Sequence, residues 1–281
     1  MASPDNPQVG LEPIIDTPLV GEAFAGETPP RRINRSGENP PWTGWDVLQI
    51  AVLTLVSVFV FLLATAYVAK RVLYPRMSFG DVAQIPLVTV VAQGLAYFLA
   101  FAFMVAVVRR EGHGAQNFWS AMRWNPPARW KEFLGAGVLL SLALQGFAHL
   151  LPMPTELPID KFFQTPAEAW VLSIFGMTFA PLLEELFFRG FLYPVLARRV
   201  GVVLSVFLTA VAFGLIHAPQ LGRAWGPVLI VFLVGLALTI CRAITKSVAA
   251  GVLIHVAYNG TISVLLFIGS DGFRHLERLN Q

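Results

Sequence analysis

Two adjacent glutamates lie inside a long apolar stretch, where ionisable side chains are costly to bury. Glu184 and Glu185 interrupt the run from Phe175 to Leu192. Such groups usually mark a function, because a charge at membrane depth must be paired or hydrated. On a helix, Glu185 and Arg189 share one face, four residues apart and in the favourable order for an ion pair. Glu184 is rotated by about 100° and has no such partner, so its carboxyl is the candidate for chemistry.

Two histidines and an asparagine lie in other apolar segments. His217 closes the segment that contains Phe213, and His255 lies inside a later one. Asn259 follows His255 by one helical turn, so both side chains lie on the same face. A lone histidine in a membrane helix is more often a hydrogen-bond partner than a catalyst. These two differ because their positions converge with that of Glu184.

The convergence follows from the turn between two of the predicted helices. The midpoint between positions 184 and 217 is Val200, inside the polar break Arg198–Gly201. Antiparallel helices that turn there place Glu184 and His217 at matching depth, each roughly 20–25 Å from the turn. His255 is also submerged in its own apolar segment. The sequence therefore predicts one buried pocket with four polar side chains: Glu184, His217, His255 and Asn259.

Three chemistries that intramembrane proteases use lack their residues in this sequence. No histidine is followed by glutamate, so an H-E-x-x-H zinc site is absent. No aspartate lies in the middle of an apolar segment, and no G-x-S sequence offers a serine nucleophile. The remaining carboxylate, imidazoles and carboxamide suit amide hydrolysis by water. A general base is worth roughly 10²–10⁴ in rate, and one oxyanion donor roughly 10²–10³.

The order of these motifs resembles the CPBP family of intramembrane proteases. That family includes the type II CAAX prenyl endopeptidases and the lysostaphin-resistance-protein-A-like (ABI) proteins. The motifs that carry the resemblance are Glu184-Glu185-x-x-x-Arg189, Phe213-x-x-x-His217 and His255-x-x-x-Asn259. Each motif alone is weak, but three in this order, each in an apolar segment, form a specific match. The resemblance covers residues 135–269 and implies a protease core there.

The resemblance implies a role for each residue. Glu184 and His217 would activate the water, while His255 and Asn259 would form the oxyanion site. Three further residues would support the structure of the site: Glu185, Arg189 and Phe213. The resemblance leaves open whether the site binds a metal ion, because two histidines and one carboxylate also resemble a catalytic zinc site. Its ligands would be Glu184, His217 and His255.

The composition predicts a chain whose main solvent is lipid. Hydrophobic residues make up 56% and charged residues 13%, whereas soluble domains carry about 25% charged residues. The runs Val47–Ala69, Ile85–Val108 and Ser247–Gly269 are long enough to cross a ~30 Å hydrocarbon layer. Four apolar runs are shorter or interrupted: Phe133–Leu151, Ala169–Leu183, Val202–Ile216 and Pro227–Cys241. We therefore predict an all-α polytopic transmembrane bundle of about seven to eight helices.

The chain divides into a tail and a transmembrane domain. Residues 1–44 are polar and proline-rich, which predicts a disordered tail before the domain at 45–281. No early apolar region indicates a cleaved signal peptide, so Val47–Ala69 is expected to be retained as the first helix. The single Cys241 excludes a disulfide within the chain. A net charge of +3, spread over many loops, does not suggest nucleic acid. The loop charges instead predict a multi-pass protein with a cytoplasmic N-terminus, in the cell membrane if the source is prokaryotic.

The predicted function is an intramembrane endopeptidase whose partners are the lipid bilayer and a membrane-embedded or lipidated, CAAX-like protein substrate. Two other functions stay open. The polar cluster could be a relay in a small proton-coupled transporter, but such folds usually contain inverted repeats, and none is visible. The chain could also be an inactive membrane scaffold or a bacteriocin-immunity or resistance factor. The intact set of four catalytic-type residues argues against that second alternative.

Overall fold

The computed structural model describes residues 38–110, 117–154, 157–163 and 165–277, which form helices and no strand. A 3₁₀ helix (Pro158–Phe162) precedes α6, and a π-helix (Leu186–Leu192) separates α7 from α8. The α-helices are α1 (Gly44–Val72), α2 (Phe79–Ala83), α3 (Pro86–Arg110), α4 (Phe118–Ala121), α5 (Trp130–Ala148), α6 (Pro166–Met177), α7 (Phe179–Glu185), α8 (Tyr193–Val200), α9 (Val202–His217), α10 (Trp225–Thr245) and α11 (Val248–Gly269). The all-α prediction is confirmed for this part of the chain.

Within the described ranges, five helices are long and apolar enough to cross a membrane. They are Gly44–Val72, Pro86–Arg110, Pro166–Val200, Trp225–Thr245 and Val248–Gly269. The third of these joins α6, α7, the π-helix and α8. The shorter apolar helix α9 follows it. The described part of the chain is therefore all-α, and its apolar helices indicate an integral membrane protein. The predicted count of seven to eight membrane helices is not confirmed.

Local sequence signals explain where the helices begin and turn. The Thr43 amide donates to Asp46 Oδ2 over 2.8 Å, which caps the start of α1. At α11 the direction is reversed, because the N-cap side chain Ser247 Oγ accepts from the Ala250 amide over 3.1 Å. Gly201 has φ +83°, a region that glycine enters without steric cost. It forms the turn between α8 and α9, at the break that the sequence predicted.

Several basic helix ends lie at the same end of the bundle as the start of α1. Arg110, the last residue of α3, pairs with Asp46 over 2.5 Å. Arg198, near the end of α8, donates to the Pro40 carbonyl over 2.9 Å. These contacts place the start of α1 and the ends of α3 and α8 at one end of the bundle. The cytoplasmic identity of that end stays a prediction.

The predicted tail has a different boundary in the structure. Residues 38–43, which we had included in the tail 1–44, pack against the helical domain. Glu38 and Trp42 are each only 1% exposed. The segment looked like a tail because it is polar and contains prolines, but ion pairs and one tryptophan bury it. Residues 1–37 lie outside the described ranges, so a disordered tail stays a prediction for them.

Packing between the helices brings the polar motifs together. α1 packs against α3, α5 against α11, and α9 against both α8 and α10. The π-helix contacts α1, α8, α9 and α11, so it lies where these elements meet. The two acids and Arg189 precede or lie within this π-helix. The fold therefore surrounds them with the helices that carry the two histidines.

Candidate active site

Glu184 lies in the last turn of α7 and faces two imidazoles. Its Oε1 is 3.8 Å from His217 Nε2, and its Oε2 is 3.8 Å from His255 Nε2. The Glu184 side chain is 13% exposed and that of His217 is 15% exposed, so the protein does not enclose either of them completely. Among the described residues, no lysine or arginine lies within ion-pair distance of Glu184. The predicted convergence of these three residues is therefore present.

Hydrogen bonds fix which nitrogen of each imidazole carries a hydrogen. His217 Nδ1 is 2.7 Å from the Phe213 carbonyl, and His255 Nδ1 is 3.0 Å from Glu185 Oε1. Carbonyl and carboxylate oxygens only accept, so each Nδ1 is the donor. In a neutral imidazole, Nε2 then carries no hydrogen, and both Nε2 atoms face Glu184. Three acceptors converge, which favours a donor such as water between them.

Glu185 is committed to a buried ion pair, as its spacing predicted. Its Oε1 accepts from Arg189 Nη1 over 2.7 Å, and both side chains are fully buried. α10 holds the same guanidinium, because Arg189 also donates to the Gly235 carbonyl over 2.8 Å and to Thr239 Oγ1 over 3.2 Å. The guanidinium lies 4.7 Å from the centre of the Phe213 ring. Phe213 therefore supports both Arg189 and His217, through its ring and its carbonyl.

A glycine on α11 makes room for the second oxygen of Glu185. A Cβ added at Gly251 would lie 2.6 Å from Glu185 Oε2, which is closer than real Cβ contacts. That oxygen has no hydrogen-bond partner among the described residues. Gly251 lies one helical turn before His255, on the same face. Its lack of a side chain is what lets Glu185 approach α11 and reach His255.

The structure gives Asn259 a partner that the sequence did not predict. Its Nδ2 donates to the Gly176 carbonyl of α6 over 2.7 Å. A carboxamide nitrogen has two hydrogens, so one of them holds α6 just before the break that leads into α7. An oxyanion role for Asn259 would have to use the other.

α3 contributes two polar residues that sequence reasoning missed. Gln93 Nε2 donates to the Tyr97 hydroxyl oxygen over 2.8 Å. The Tyr97 ring stacks on Phe175, with centroids 6.0 Å apart, and its hydroxyl is close enough to interact electrostatically with Glu184. The signal was present, since Gln93 and Tyr97 are polar residues four apart in an otherwise apolar run. It was overlooked because neither side chain is charged.

The chemistry of the site suits zinc, but the arrangement does not form a metal-binding group. The Nδ1–H of each histidine donates to an oxygen, as zinc-bound histidines commonly do. Within the part of the chain that the structure describes, however, no three His, Cys, Asp or Glu side chains are placed to hold a metal ion. The alternative ligand set of Glu184, His217 and His255 therefore fits in residue type and not in geometry. The mechanism proposed below uses protein groups and water only.

Comparison with known proteins agrees with the motif pattern. Residues 166–261 match a family model described as type II CAAX prenyl endopeptidase Rce1-like. The matched region contains all seven residues of the three motifs: Glu184, Glu185, Arg189, Phe213, His217, His255 and Asn259. The resemblance to the CPBP family is thereby confirmed. Neither the curated proteins nor the solved structures gave a match to the chain.

Proposed function

We propose that this chain, whose residues 166–261 match an Rce1-like family model, is an intramembrane endopeptidase. It would hydrolyse a peptide bond of a membrane-embedded or lipidated, CAAX-like protein by using activated water. The observation that carries the proposal is the position of the Glu184 carboxylate between two imidazoles. One oxygen is 3.8 Å from His217 Nε2, and the other is 3.8 Å from His255 Nε2. Glu184 lies within a helical span that is apolar enough to cross a membrane.

In the proposed mechanism, water attacks the carbonyl carbon of the substrate. Glu184 accepts the proton of that water as general base, and His217 orients the water through its unprotonated Nε2. The carbonyl π electrons move to the oxygen, which becomes an oxyanion. The proton then passes from Glu184 to the leaving nitrogen, the oxyanion re-forms the carbonyl, and the C–N bond breaks. The products are a carboxylic acid and an amine, which exchange one proton to become a carboxylate and an ammonium group.

His255 and Asn259 are proposed to stabilise the oxyanion. With Nδ1–H bound to Glu185, His255 can donate from Nε2 only when it is protonated. The Glu185 carboxylate lies 3.0 Å from Nδ1 and holds the ring with Nε2 toward Glu184. Asn259 would donate its second amide hydrogen. Each donor aimed at the developing charge is worth roughly 10²–10³ in rate.

The substrate class follows from the location of the site and from the matched family. The span that carries Glu184 is apolar enough to cross a membrane, which favours a substrate that is itself membrane-embedded or carries a lipid. The CAAX-like class rests on the description of the matched family model. Tyr97 and Phe175 on α3 and α6 add an aromatic wall beside the site, which suits an apolar peptide.

The test uses the purified full chain in proteoliposomes with a library of membrane peptides. Each peptide is supplied with and without a C-terminal prenyl group, and products are mapped by mass spectrometry in ¹⁸O-labelled water. We expect cleavage with one ¹⁸O in the new carboxylate, and no cleavage by Glu184→Ala. Cleavage of prenylated peptides alone would establish the CAAX-like class. Equal cleavage by wild type and Glu184→Ala, or none by either, would refute the proposed function.

A further inference from the structure

Five residues before α1 form an irregular segment that we call the strap, Glu38–Trp42. The strap lies far from the family-matched region in sequence, yet its first residue is buried at the end of the bundle. Glu38 accepts two hydrogen bonds from Arg242, of 2.9 and 3.1 Å. Arg123 Nε lies 3.4 Å and Lys246 Nζ 3.6 Å from the same carboxylate. These ion pairs tie the start of the strap to α10 and to the segment after α4.

The other end of the strap is attached to the π-helix. Trp42 Nε1 donates to the Phe191 carbonyl over 3.1 Å, and the two rings lie 4.5 Å apart. Arg198 of α8 donates to the carbonyls of Pro40 and Trp42 over 2.9 and 3.2 Å. The strap therefore spans the π-helix and the helix that follows it.

The π-helix is the element on which the geometry of the site depends. It begins directly after Glu185, and Arg189 lies in its middle. π-helical turns are rare, because their wide backbone is less favourable than an α-helix, and they are frequent at functional sites. They persist only where surrounding contacts favour them. Trp42 supplies such a contact, because its indole binds the carbonyl of Phe191, two residues after Arg189.

A second connection joins the strap to the same stretch of chain. The guanidinium of Arg242, which binds Glu38, lies 5.3 Å from the centre of the Tyr193 ring. Tyr193 is the first residue of α8 and is fully buried. The ion pairs of Glu38 and the indole of Trp42 therefore act on opposite ends of one short segment, residues 191–193.

We infer that the strap is a positioning element, in which Trp42 holds the π-helix so that Glu185 and Arg189 keep their places beside Glu184 and His255. The activity part of this inference rests on the proposed function. The structural claim, that Trp42 holds the π-helix, does not depend on the proposed function, because it rests only on contacts between the strap and the π-helix.

The experiment compares Trp42→Phe with Trp45→Phe in the full chain in detergent micelles. Trp42→Phe keeps a buried ring and removes the indole N–H, whereas Trp45 is 65% exposed and serves as the matched control. Hydrogen–deuterium exchange is followed in peptides from the π-helix and from α11. We expect about tenfold faster exchange at residues 186–192 in Trp42→Phe, as for one lost hydrogen bond, with α11 unchanged. Trp45→Phe should match wild type.

Steady-state kinetics separate positioning from a structural role. In Trp42→Phe we expect kcat to fall about tenfold with KM unchanged, since only alignment in the transition state is lost. Unchanged exchange at 186–192, equal acceleration in α11, or faster local exchange with unchanged kcat would each overturn the inference. If wild type cleaves no peptide, the proposed function fails. The exchange data alone then decide whether the strap holds the π-helix.

Discussion

Two buried carboxylates at different places in the bundle have opposite surroundings. At the basic end, Glu38 is enclosed by Arg242, Arg123 and Lys246. Burial raises the pKa of Glu38, but the hydrogen bond and charge of Arg242, with the charges of the other two, outweigh it. The pKa therefore lies below the ordinary value of 4.5.

Glu184, in contrast, has two imidazoles and no arginine or lysine within ion-pair distance among the described residues. A carboxylate surrounded by permanent cations stays ionised and serves to hold elements together. A carboxylate that faces imidazoles has neighbours whose ring nitrogens can themselves accept or donate a proton. The comparison shows that burial alone does not identify a catalytic acid. The charged or neutral groups that surround a buried carboxylate determine whether it serves structure or chemistry.

The largest expected effect comes from removing the carboxylate at Glu184. Glu184→Gln keeps the size of the side chain but removes the general base, so we expect kcat to fall by at least roughly 10²–10⁴. Thermal unfolding in detergent should change little, because Glu184 has no buried cationic partner to leave behind. The measurement is turnover together with the unfolding temperature. Retained turnover would mean that this carboxylate is structural, as Glu38 is.

The next prediction asks whether water is activated by protein groups alone. We expect activity to survive exhaustive treatment with a chelator that can reach the cavity. His255→Ala should lose only an oxyanion donor, roughly 10²–10³ in kcat. The opposite result has a clear signature: stoichiometric zinc in the purified protein, lost with activity on chelation and regained with it when zinc is restored. Then His217→Ala and His255→Ala should both release the metal.

Glu185→Gln should behave in the opposite way to Glu184→Gln. Breaking a fully buried ion pair such as Glu185–Arg189 costs roughly 3–5 kcal/mol of stability. The amide oxygen of the new glutamine can still accept a hydrogen bond from Arg189, which should recover part of that loss. We therefore expect a loss of about 2 kcal/mol in the free energy of unfolding, seen by thermal or denaturant unfolding. Equal losses of stability in the two glutamine variants would refute the separate roles of the adjacent acids.

A smaller effect should follow from filling the space beside Glu185. Gly251→Ala places a methyl group against Oε2, and such overpacking costs about 1–3 kcal/mol. Gly260→Ala on the same helix is the matched control, because its Cβ would meet only Met177 Sδ at 3.9 Å. There the gain in helix propensity, up to about 1 kcal/mol, should dominate. Equal unfolding free energies for the two variants would show that Glu185 does not need this gap.

The smallest effect concerns acid pH at the strap. Because the folded pKa of Glu38 is lowered, its stabilisation is complete above the unfolded value of 4.5 and is lost as the pH falls below it through the folded pKa. Wild type should therefore be more stable than Glu38→Gln near neutral pH, and the gap should shrink below pH 4.5. Unfolding temperatures from neutral to acid pH measure it. A difference in unfolding temperature between wild type and Glu38→Gln that stays constant below pH 4.5 would show that Glu38 is not stabilised as a carboxylate.

Most of the correct predictions about the fold and the site depend on helical periodicity and on the length of the apolar runs. The spacing of Glu185 and Arg189 predicted their ion pair, and the midpoint at Val200 predicted that Glu184 meets His217. These predictions worked because both depend on fixed helical geometry within one span or across one turn. The helix ends shifted by a few residues, as for α5, which begins at Trp130 rather than at Phe133.

Contacts between elements distant in sequence were not predictable. The polar, proline-containing sequence of the strap predicts a tail, since nothing in residues 38–43 indicates that Arg242 lies beside Glu38. The pairing of Asn259 with Gly176 and the approach of Tyr97 to Glu184 likewise depend on how α3 and α6 pack. Backbone carbonyls and neutral side chains carry no charge pattern that a sequence would reveal.

The sequence by itself determined the class of protein, the apolar helices and the residues that could do chemistry. It could do so because hydropathy and helical spacing are local properties of the chain. Tertiary structure decided which carboxylate is enclosed by cations and which faces imidazoles. It also decided that Gly251 must lack a side chain and that Trp42 supports a rare π-helix. Those facts arise from close packing between helices, where a difference of one ångström separates contact from clash, and spacing along one chain does not record it.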